Sequence, residues 1–180
     1  ALARQMARLT VKCLNIEHAY LAIDDFVVPR TSKNAPDTRY YHQHSKKSNR
    51  PRYIWGQCWV GLSLIIENNW LNYAIPLLFR MVRKAGNTTK LTTALVLMRA
   101  IQGIFPQVTL LVDSWYMRAS VILTLLEQGG GNIHLIGQVR RDTALYGIPV
   151  NPPGKRGAKR KYGEKYTIEV VTKLRRHKVL

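Results

Sequence analysis

The order of apolar segments along the chain restricts it to a layered fold built on a β-sheet. Residues 19–28 (AYLAIDDFVV), 53–66 (YIWGQCWVGLSLII) and 71–83 (LNYAIPLLFRMVR) are rich in β-branched and aromatic side chains, which predicts three strands. Pro76 indicates that the third of these is an edge strand or contains a bulge. Three consecutive strands can pair as a meander, so they predict one side of the sheet.

Beyond this meander the pattern alternates between helix and strand. The segment TTKLTTALVLMRAIQGIF has helical spacing, and we expect Asn87 to cap this helix and Pro106 to stop it. An apolar strand run (VTLLV), a helix closed by glycines (RASVILTLLEQGGG) and another strand (NIHLIGQVRRDTAL) follow. Crossovers of this kind predict an α/β fold, a mixed sheet flanked by helices.

Charge is the second constraint, because it indicates the partner. The 180 residues contain 28 lysines and arginines against 10 acidic residues, a formal net charge of +18. Such an excess predicts a polyanionic partner, and nucleic acid is the leading candidate. Neither a membrane-spanning apolar run nor the apolar core of a signal peptide is found, so a cytoplasmic protein with no membrane partner is expected. Cys13 and Cys58 carry no metal or disulfide spacing and are predicted to be buried.

The scarce acidic residues lie at strand ends. Asp24 and Asp25 end the first predicted strand, and Asp113 ends a later one. Ligands of layered α/β sheets gather beside strand ends, and carboxylates that converge there normally need a cation such as Mg²⁺ to offset their repulsion. Two such ions would clamp the attacking and leaving oxygens of a phosphodiester. The alternative is that each aspartate caps a turn, and the spacing alone does not decide between the two.

Six segments, in this order, resemble the DDE transposases of bacterial insertion sequences. They are LAIDDFVVPRTSKNAP, HQHSKKSNRPRYIWGQCWV, AIPLLFRMVRK, LLVDSWYM, HLIGQVRRDTALY and RGAKRKYG. The resemblance implies an RNase H-like (retroviral integrase-like) fold and cleavage and joining of DNA strands at transposon ends. It also implies Mg²⁺ or Mn²⁺ as cofactor, as two ions, and double-stranded transposon ends and target DNA as partners, with a homo-oligomer in the synaptic complex.

Residue by residue, the resemblance assigns the first catalytic, metal-binding acid to Asp24 and the second to Asp113. Asp25 then points to the opposite side of the strand, because successive side chains alternate, and its role stays open. Phe26 occupies a position where the family usually has threonine.

The family's third acid is a glutamate on a helix, in a setting of tyrosine, two residues, arginine, three residues and glutamate. Tyr162, Lys165 and Glu169 reproduce that spacing, but YTIEVVTKL alternates as a strand does. Glu169, and still more Glu164, are therefore disfavoured, and the third acid is expected beyond Leu180. On that expectation the alternative function is a non-catalytic, DNA-binding remnant of a transposase.

Two basic clusters are the candidate DNA-binding surfaces, since cations contact phosphates and set the register on DNA. The first cluster lies in residues 39–52, and the second comprises Arg140, Arg141 and basic residues within 155–161. For the first cluster the alternative is a solvated basic loop. The four tryptophans, Trp55, Trp59, Trp70 and Trp115, are predicted to pack in or near the core rather than to stack on bases. The candidate DNA-binding residues are Arg30, Lys33, His42, His44, Lys46, Lys47, Arg50, Arg52, Arg140, Arg141, Lys155, Arg156, Lys159, Arg160 and Lys161.

Three regions are expected. Residues 1–18 are interpreted as the end of a preceding helical region, and residues 19–146 as the catalytic core. Residues 147–180 are interpreted as a basic loop and the start of an inserted region that breaks off before the third acid.

Overall fold

The computed structural model describes residues 2–43, 51–67, 72–83, 89–139, 143–147, 149–150, 157–158 and 160–167. The chain divides into two compact units, residues 1–138 and 139–180. The first unit contains every named helix and strand. They are α1 (Leu2–Leu14), β1 (His18–Pro29), β2 (Arg39–His42), β3 (Tyr53–Glu67), β4 (Asn72–Met81), α2 (Lys90–Ile101), β5 (Gln107–Val112), α3 (Ala119–Gly129) and β6 (Ile133–Gly137).

The six strands form one mixed sheet in the order β2-β3-β1-β5-β6, with β4 paired to β3. The pairs β1–β3, β2–β3 and β3–β4 are antiparallel, whereas β1–β5 and β5–β6 are parallel. The antiparallel part is the predicted meander, and the parallel part is the predicted pair of crossovers. The α/β fold class is thereby confirmed.

One face of the sheet carries the hydrophobic core. On β1, Leu21 and Ile23 alternate with more exposed residues, and they join one buried cluster with Leu62 of β3 and Leu110 of β5. Apolar residues of all three helices belong to the same cluster, for example Leu97 of α2. The core therefore lies between this face and the helices. None of the described helices is long and apolar enough to cross a membrane.

Two local predictions about strands are refined by the structure. β4 contains the predicted irregularity, because its register with β3 shifts between the pairs Leu62↔Leu78 and Ser63↔Pro76. The segment between β1 and β3 contains a strand that the sequence did not predict, since β2 (Arg39–His42) pairs with β3. Its four residues are mostly polar or basic and lie near prolines, so the pattern contains no apolar run to reveal a strand.

The ends of α2 also differ from the prediction. Thr89, not Asn87, is the N-cap, and its hydroxyl accepts a hydrogen bond from the Thr92 backbone amide at 3.2 Å. The helix ends at Ile101, before Pro106, and Gly103 follows at a φ of 73°, a left-handed conformation that favours glycine. The predicted glycine end of α3 is confirmed, since Gly130 adopts a φ of 53°.

The second unit is held by backbone pairing. Tyr146 forms an antiparallel bridge with Lys165, and the Gly147 amide donates to the Glu164 carbonyl at 2.8 Å. The Tyr146 and Tyr162 rings lie 4.9 Å apart. The domain limits expected at residues 18 and 146 stay predictions.

Candidate active site

The paired aspartates of β1 point to opposite faces of the sheet, as strand alternation predicts. Asp24 is exposed and shares its face with Phe26. Asp25 is partly buried and points to the side of α2 and Tyr116, with which it forms contacts. The two neighbouring carboxylates therefore have different environments and different partners.

Asp24 on β1 lies beside Asp113, which directly follows the neighbouring parallel strand β5. The β1–β5 register pairs Ile23 with Val112, so the next residue of each strand is the aspartate. Adjacent strands are about 4.8 Å apart, and paired residues share a face. The structure thus brings together two acids that are far apart in the sequence, Asp24 and Asp113.

In each of these two carboxylates, one oxygen accepts hydrogen bonds from backbone amides. Oδ1 of Asp113 accepts from the amides of Trp115 and Tyr116, at 2.9 and 3.3 Å, so the turn cap considered as an alternative is present. Oδ1 of Asp24 accepts from the Asp25 amide at 2.8 Å. Within the described part of the chain, Oδ2 of each has no hydrogen-bond partner. Each aspartate can therefore cap the backbone through Oδ1 and still bind a ligand through Oδ2.

Asp25 is the centre of a polar cluster beneath the site. Lys90 Nζ lies 2.6 Å from its Oδ2, as an ion pair whose side chains are 29% and 17% exposed. Tyr116 donates its hydroxyl to Oδ1 at 3.3 Å, and the Cys58 thiol lies 3.9 Å from Oδ2. These partners come from β3, α2 and the turn after β5. Asp25 therefore ties three elements to the middle of β1. The prediction that Asp24 and Asp25 end this strand is wrong, because pairing with β3 extends β1 to Pro29.

The charges in this region shift several pKa values. Partial burial raises the pKa of Asp24, the charges of Asp25 and Asp113 add to that rise, and the Asp25 amide and the Lys90 ammonium oppose it. Burial, followed by the charge of Asp25, raises the pKa of the Tyr116 hydroxyl. Burial also raises the pKa of the Cys58 thiol to about 11. Tyr116 and Cys58 are consequently neutral donors at physiological pH.

Comparison with known families identifies the family of the chain. The model of a family described as DDE superfamily endonuclease matches residues 1–179. The chain belongs to this family. Membership confirms the resemblance to DDE transposases and, with the mixed sheet, the RNase H-like fold. Searches of the curated proteins and of the solved structures find no match to the chain.

DDE endonucleases act on DNA and generally use divalent metal ions, and the two acids of this member fit such an ion. Asp24 and Asp113 supply hard oxygen donors on neighbouring strands, which suits a cation that keeps several waters and binds through one or two carboxylates. Burial is the main cause of the raised pKa of Asp24, and the negative charge of Asp113 adds to it; a bound cation would offset both. Among the described residues no group of three or more His, Cys, Asp or Glu side chains is arranged to hold a metal.

The structure describes one of the two glutamates that were considered for the third acid of this DDE endonuclease. Glu169 lies outside the described residues, and Glu164 is exposed in the second unit.

Cys58 is buried as predicted, but Cys13 is exposed on the solvent side of α1, so its predicted burial is wrong. On α1, Cys13 lies one turn after Leu9, which is also exposed, and away from the side on which Ala7 packs in the core.

Six of the candidate DNA-binding residues are described. Arg30 donates through Nε to Gln57 at 2.9 Å, Lys33 is exposed, and Arg52 lies over the Tyr53 ring at 6.0 Å. The other three described residues are exposed: His42, Arg160 and Lys161. Outside the described residues are His44, Lys46, Lys47, Arg50, Arg140, Arg141, Lys155, Arg156 and Lys159.

Sequence reasoning missed Lys90 and misjudged Trp115. Lys90 opens α2, where the helix dipole disfavours a cation, and no acidic residue in the first turn compensates it. That local conflict is the signal that a carboxylate lies nearby in space.

Trp115 is 41% exposed, with Lys90 Nζ and the Arg118 guanidinium 5.7 and 5.1 Å from its ring centre, so its predicted packing in or near the core is only partly correct.

Replacing Asp24 with asparagine is expected to stabilise the metal-free protein slightly at pH 7. The raised pKa of Asp24 means that ionising it costs folding free energy, and the amide removes this cost. The gain should be present at neutral pH and disappear as pH falls through the raised pKa and below the ordinary value of 3.8, where both states bind the proton. Solvent screening keeps the effect small.

Urea unfolding of wild type and Asp24→Asn between neutral and acidic pH, in the presence of a chelator, measures this difference. Glu67→Gln, at an exposed strand end, is the control for loss of one negative charge. An Asp24→Asn protein less stable than wild type at pH 7 would contradict the prediction.

Proposed function

We propose that this DDE endonuclease cleaves DNA strands and joins them at the ends of an insertion sequence. The observation that supports this most directly is that Asp24 and Asp113 directly follow Ile23 and Val112, the last paired residues of the parallel strands β1 and β5, and that backbone amides bind one oxygen of each carboxylate. Double-stranded transposon ends and target DNA are the proposed substrates. The proposed setting is the bacterial cytoplasm, with DNA-bound protein in the nucleoid and a homo-oligomer in the synaptic complex.

In this proposal Asp24 and Asp113 are the catalytic, metal-binding residues, and two Mg²⁺ or Mn²⁺ ions are the cofactor. When bound, such ions activate the attacking oxygen and stabilise the leaving oxygen of a phosphodiester. The backbone amides that bind the Oδ1 atoms fix the orientation of both carboxylates. Asp25 does not bind the ions; through Lys90 and Tyr116 it positions the middle of β1 against α2 and the turn that carries Asp113.

The basic residues are proposed to hold the DNA backbone. Arg30, Lys33 and Arg52 lie in or next to the β2–β3 region, and Arg160 and Lys161 lie in the second unit. Phosphate contacts supply most of the affinity for DNA and release counterions, so binding should weaken steeply as salt rises. The remaining basic candidates named from the sequence are proposed for the same task.

A nicking assay on supercoiled DNA tests this function. We expect nicked circles to form with Mg²⁺ or Mn²⁺ and not with a chelator, and the affinity for duplex DNA to fall by about tenfold or more between 50 and 200 mM salt. Duplex binding without metal-dependent nicking would instead support the alternative of a non-catalytic DNA-binding remnant. Binding that is independent of salt would contradict the proposed role of the basic residues.

A further inference from the structure

The outward face of the β2–β3 pairing carries four aromatic side chains, which we call the aromatic ribbon: Tyr40, His42, Tyr53 and Trp55. The strand register places them as two cross-strand pairs, Tyr40 with Trp55 and His42 with Tyr53. Ring centres lie 5.0 Å apart in the first pair and 5.3 Å in the second. Side chains two residues apart on a strand point the same way, so the four rings form one surface.

Exposure of these rings is high for residues of their size. Tyr40 is 71% and Tyr53 is 54% exposed, and His42 is also exposed. Trp55 is half-buried and is fixed at its base by donating Nε1–H to the Ser32 carbonyl at 3.2 Å. Exposed rings held in contact across two strands present flat apolar surfaces to the solvent, and such surfaces generally mark an interaction site.

The surroundings of the aromatic ribbon are positively charged. The Arg52 guanidinium lies over the Tyr53 ring. The Arg30 backbone amide donates a hydrogen bond to the Trp55 carbonyl at 3.0 Å, so the segment that leads to Lys33 begins beside Trp55. Asp37 is the one acidic residue in residues 30–43 and 51–58. The partner that this combination fits carries both flat rings and regularly spaced negative charges.

The position of the aromatic ribbon relative to the acids adds a further constraint. Asp24 pairs with Gly61 on β3, and paired residues share a face. Trp55 lies on the same face by alternation, about 20 Å further along β3 at roughly 3.4 Å per residue. A strand of nucleic acid that passes Asp24 along this face therefore reaches the aromatic ribbon.

We propose that the aromatic ribbon binds unpaired DNA bases by stacking, next to the strand that is cut. This rests on the proposed DNA-cleaving function and adds a substrate preference to it. Bases inside a duplex already stack on each other and cannot cover these rings, whereas the bases of a frayed or single-stranded segment can. Stacking on aromatic side chains contributes about 1–3 kcal/mol per base and needs no particular sequence.

Binding of a labelled oligothymidylate of about 12 nucleotides, and of a duplex of the same length, tests the proposal. We expect Tyr40→Ala to weaken single-strand binding by about 5-fold to 150-fold and to leave duplex binding within about twofold. Tyr40→Phe keeps the ring and should bind as wild type does. Tyr53→Ala should repeat the loss, and Tyr73→Ala, which removes a tyrosine that is 49% exposed on β4, is the matched control.

Several outcomes would overturn the inference. Unchanged single-strand binding by both Tyr40→Ala and Tyr53→Ala is one, and equal loss of single-strand and duplex binding is another. Self-association that Tyr40→Ala abolishes, with single-strand binding unchanged, would make the surface a contact between copies of the chain. Metal-dependent nicking by wild type is measured separately, so a stacking surface without nicking, or nicking without a stacking surface, identifies which proposal fails.

Discussion

Replacing Asp113 or Asp24 with asparagine is expected to lower the rate of metal-dependent DNA nicking by on the order of 10³-fold. Each substitution keeps the shape of the side chain and removes the charged ligand oxygen, and metal-assisted stabilisation of the transition state is worth several kcal/mol, about 1.4 kcal/mol per tenfold in rate. Binding to duplex DNA should stay within about threefold, because phosphate contacts are made elsewhere. Initial rates on supercoiled DNA with Mn²⁺ measure the effect.

Glu127→Gln is the control for this experiment. It removes the same charge from an exposed position on α3 and should leave the rate unchanged. Equal nicking by wild type, Asp24→Asn and Asp113→Asn would show that the activity does not come from this pair of carboxylates. A loss for Asp25→Asn as large as for Asp24→Asn would contradict the assignment of different roles to the two neighbours.

Replacing Lys90 with methionine is expected to destabilise the fold by about 1–3 kcal/mol. The ion pair with Asp25 is only partly exposed, so its loss should exceed the effect at a surface pair and fall short of that at a fully buried one. Most of the cost comes from leaving the Asp25 carboxylate without its cation. The change in free energy of unfolding in urea, at constant pH and salt, measures it.

A double-mutant cycle separates the ion pair from the packing of the lysine side chain. Asp25→Asn combined with Lys90→Met should recover a large part of the stability lost in Lys90→Met alone, because no unpaired charge remains. Lys12→Met, at an exposed position of α1, is the matched control and should change stability by less than about 0.5 kcal/mol. An equally stable Lys90→Met protein would remove Asp25 from the role of positioning residue.

Local patterns predicted the strand and helix order well where an apolar run was long. β1, β3 and the β5–α3–β6 succession all follow from such runs. Alternation along β1 was sufficient to place Asp24 and Asp25 on opposite faces. These are properties of the segment itself, so neighbouring segments were not needed to predict them.

Features that depend on contacts between distant segments were not predictable. β2 has no apolar signal of its own and exists because β3 offers a pairing edge. Lys90 and Asp25 are 65 residues apart, and nothing in either segment alone identifies the other as its partner. The rings of Tyr40 and Trp55 meet only through the strand register, so the aromatic ribbon could not be recognised from the two separate segments.

Opposite orientation of the two aspartates also limits which changes of length β1 tolerates. Insertion of a single residue between Tyr20 and Leu21 would reverse the faces of all following residues of β1, so that Asp24 would point to the core side, Asp25 away from it, and Leu21 to the solvent. Insertion of two residues would keep every side chain on its original face and would only move the two acids along the strand. The fold therefore constrains the number of residues in this strand by parity as well as by composition.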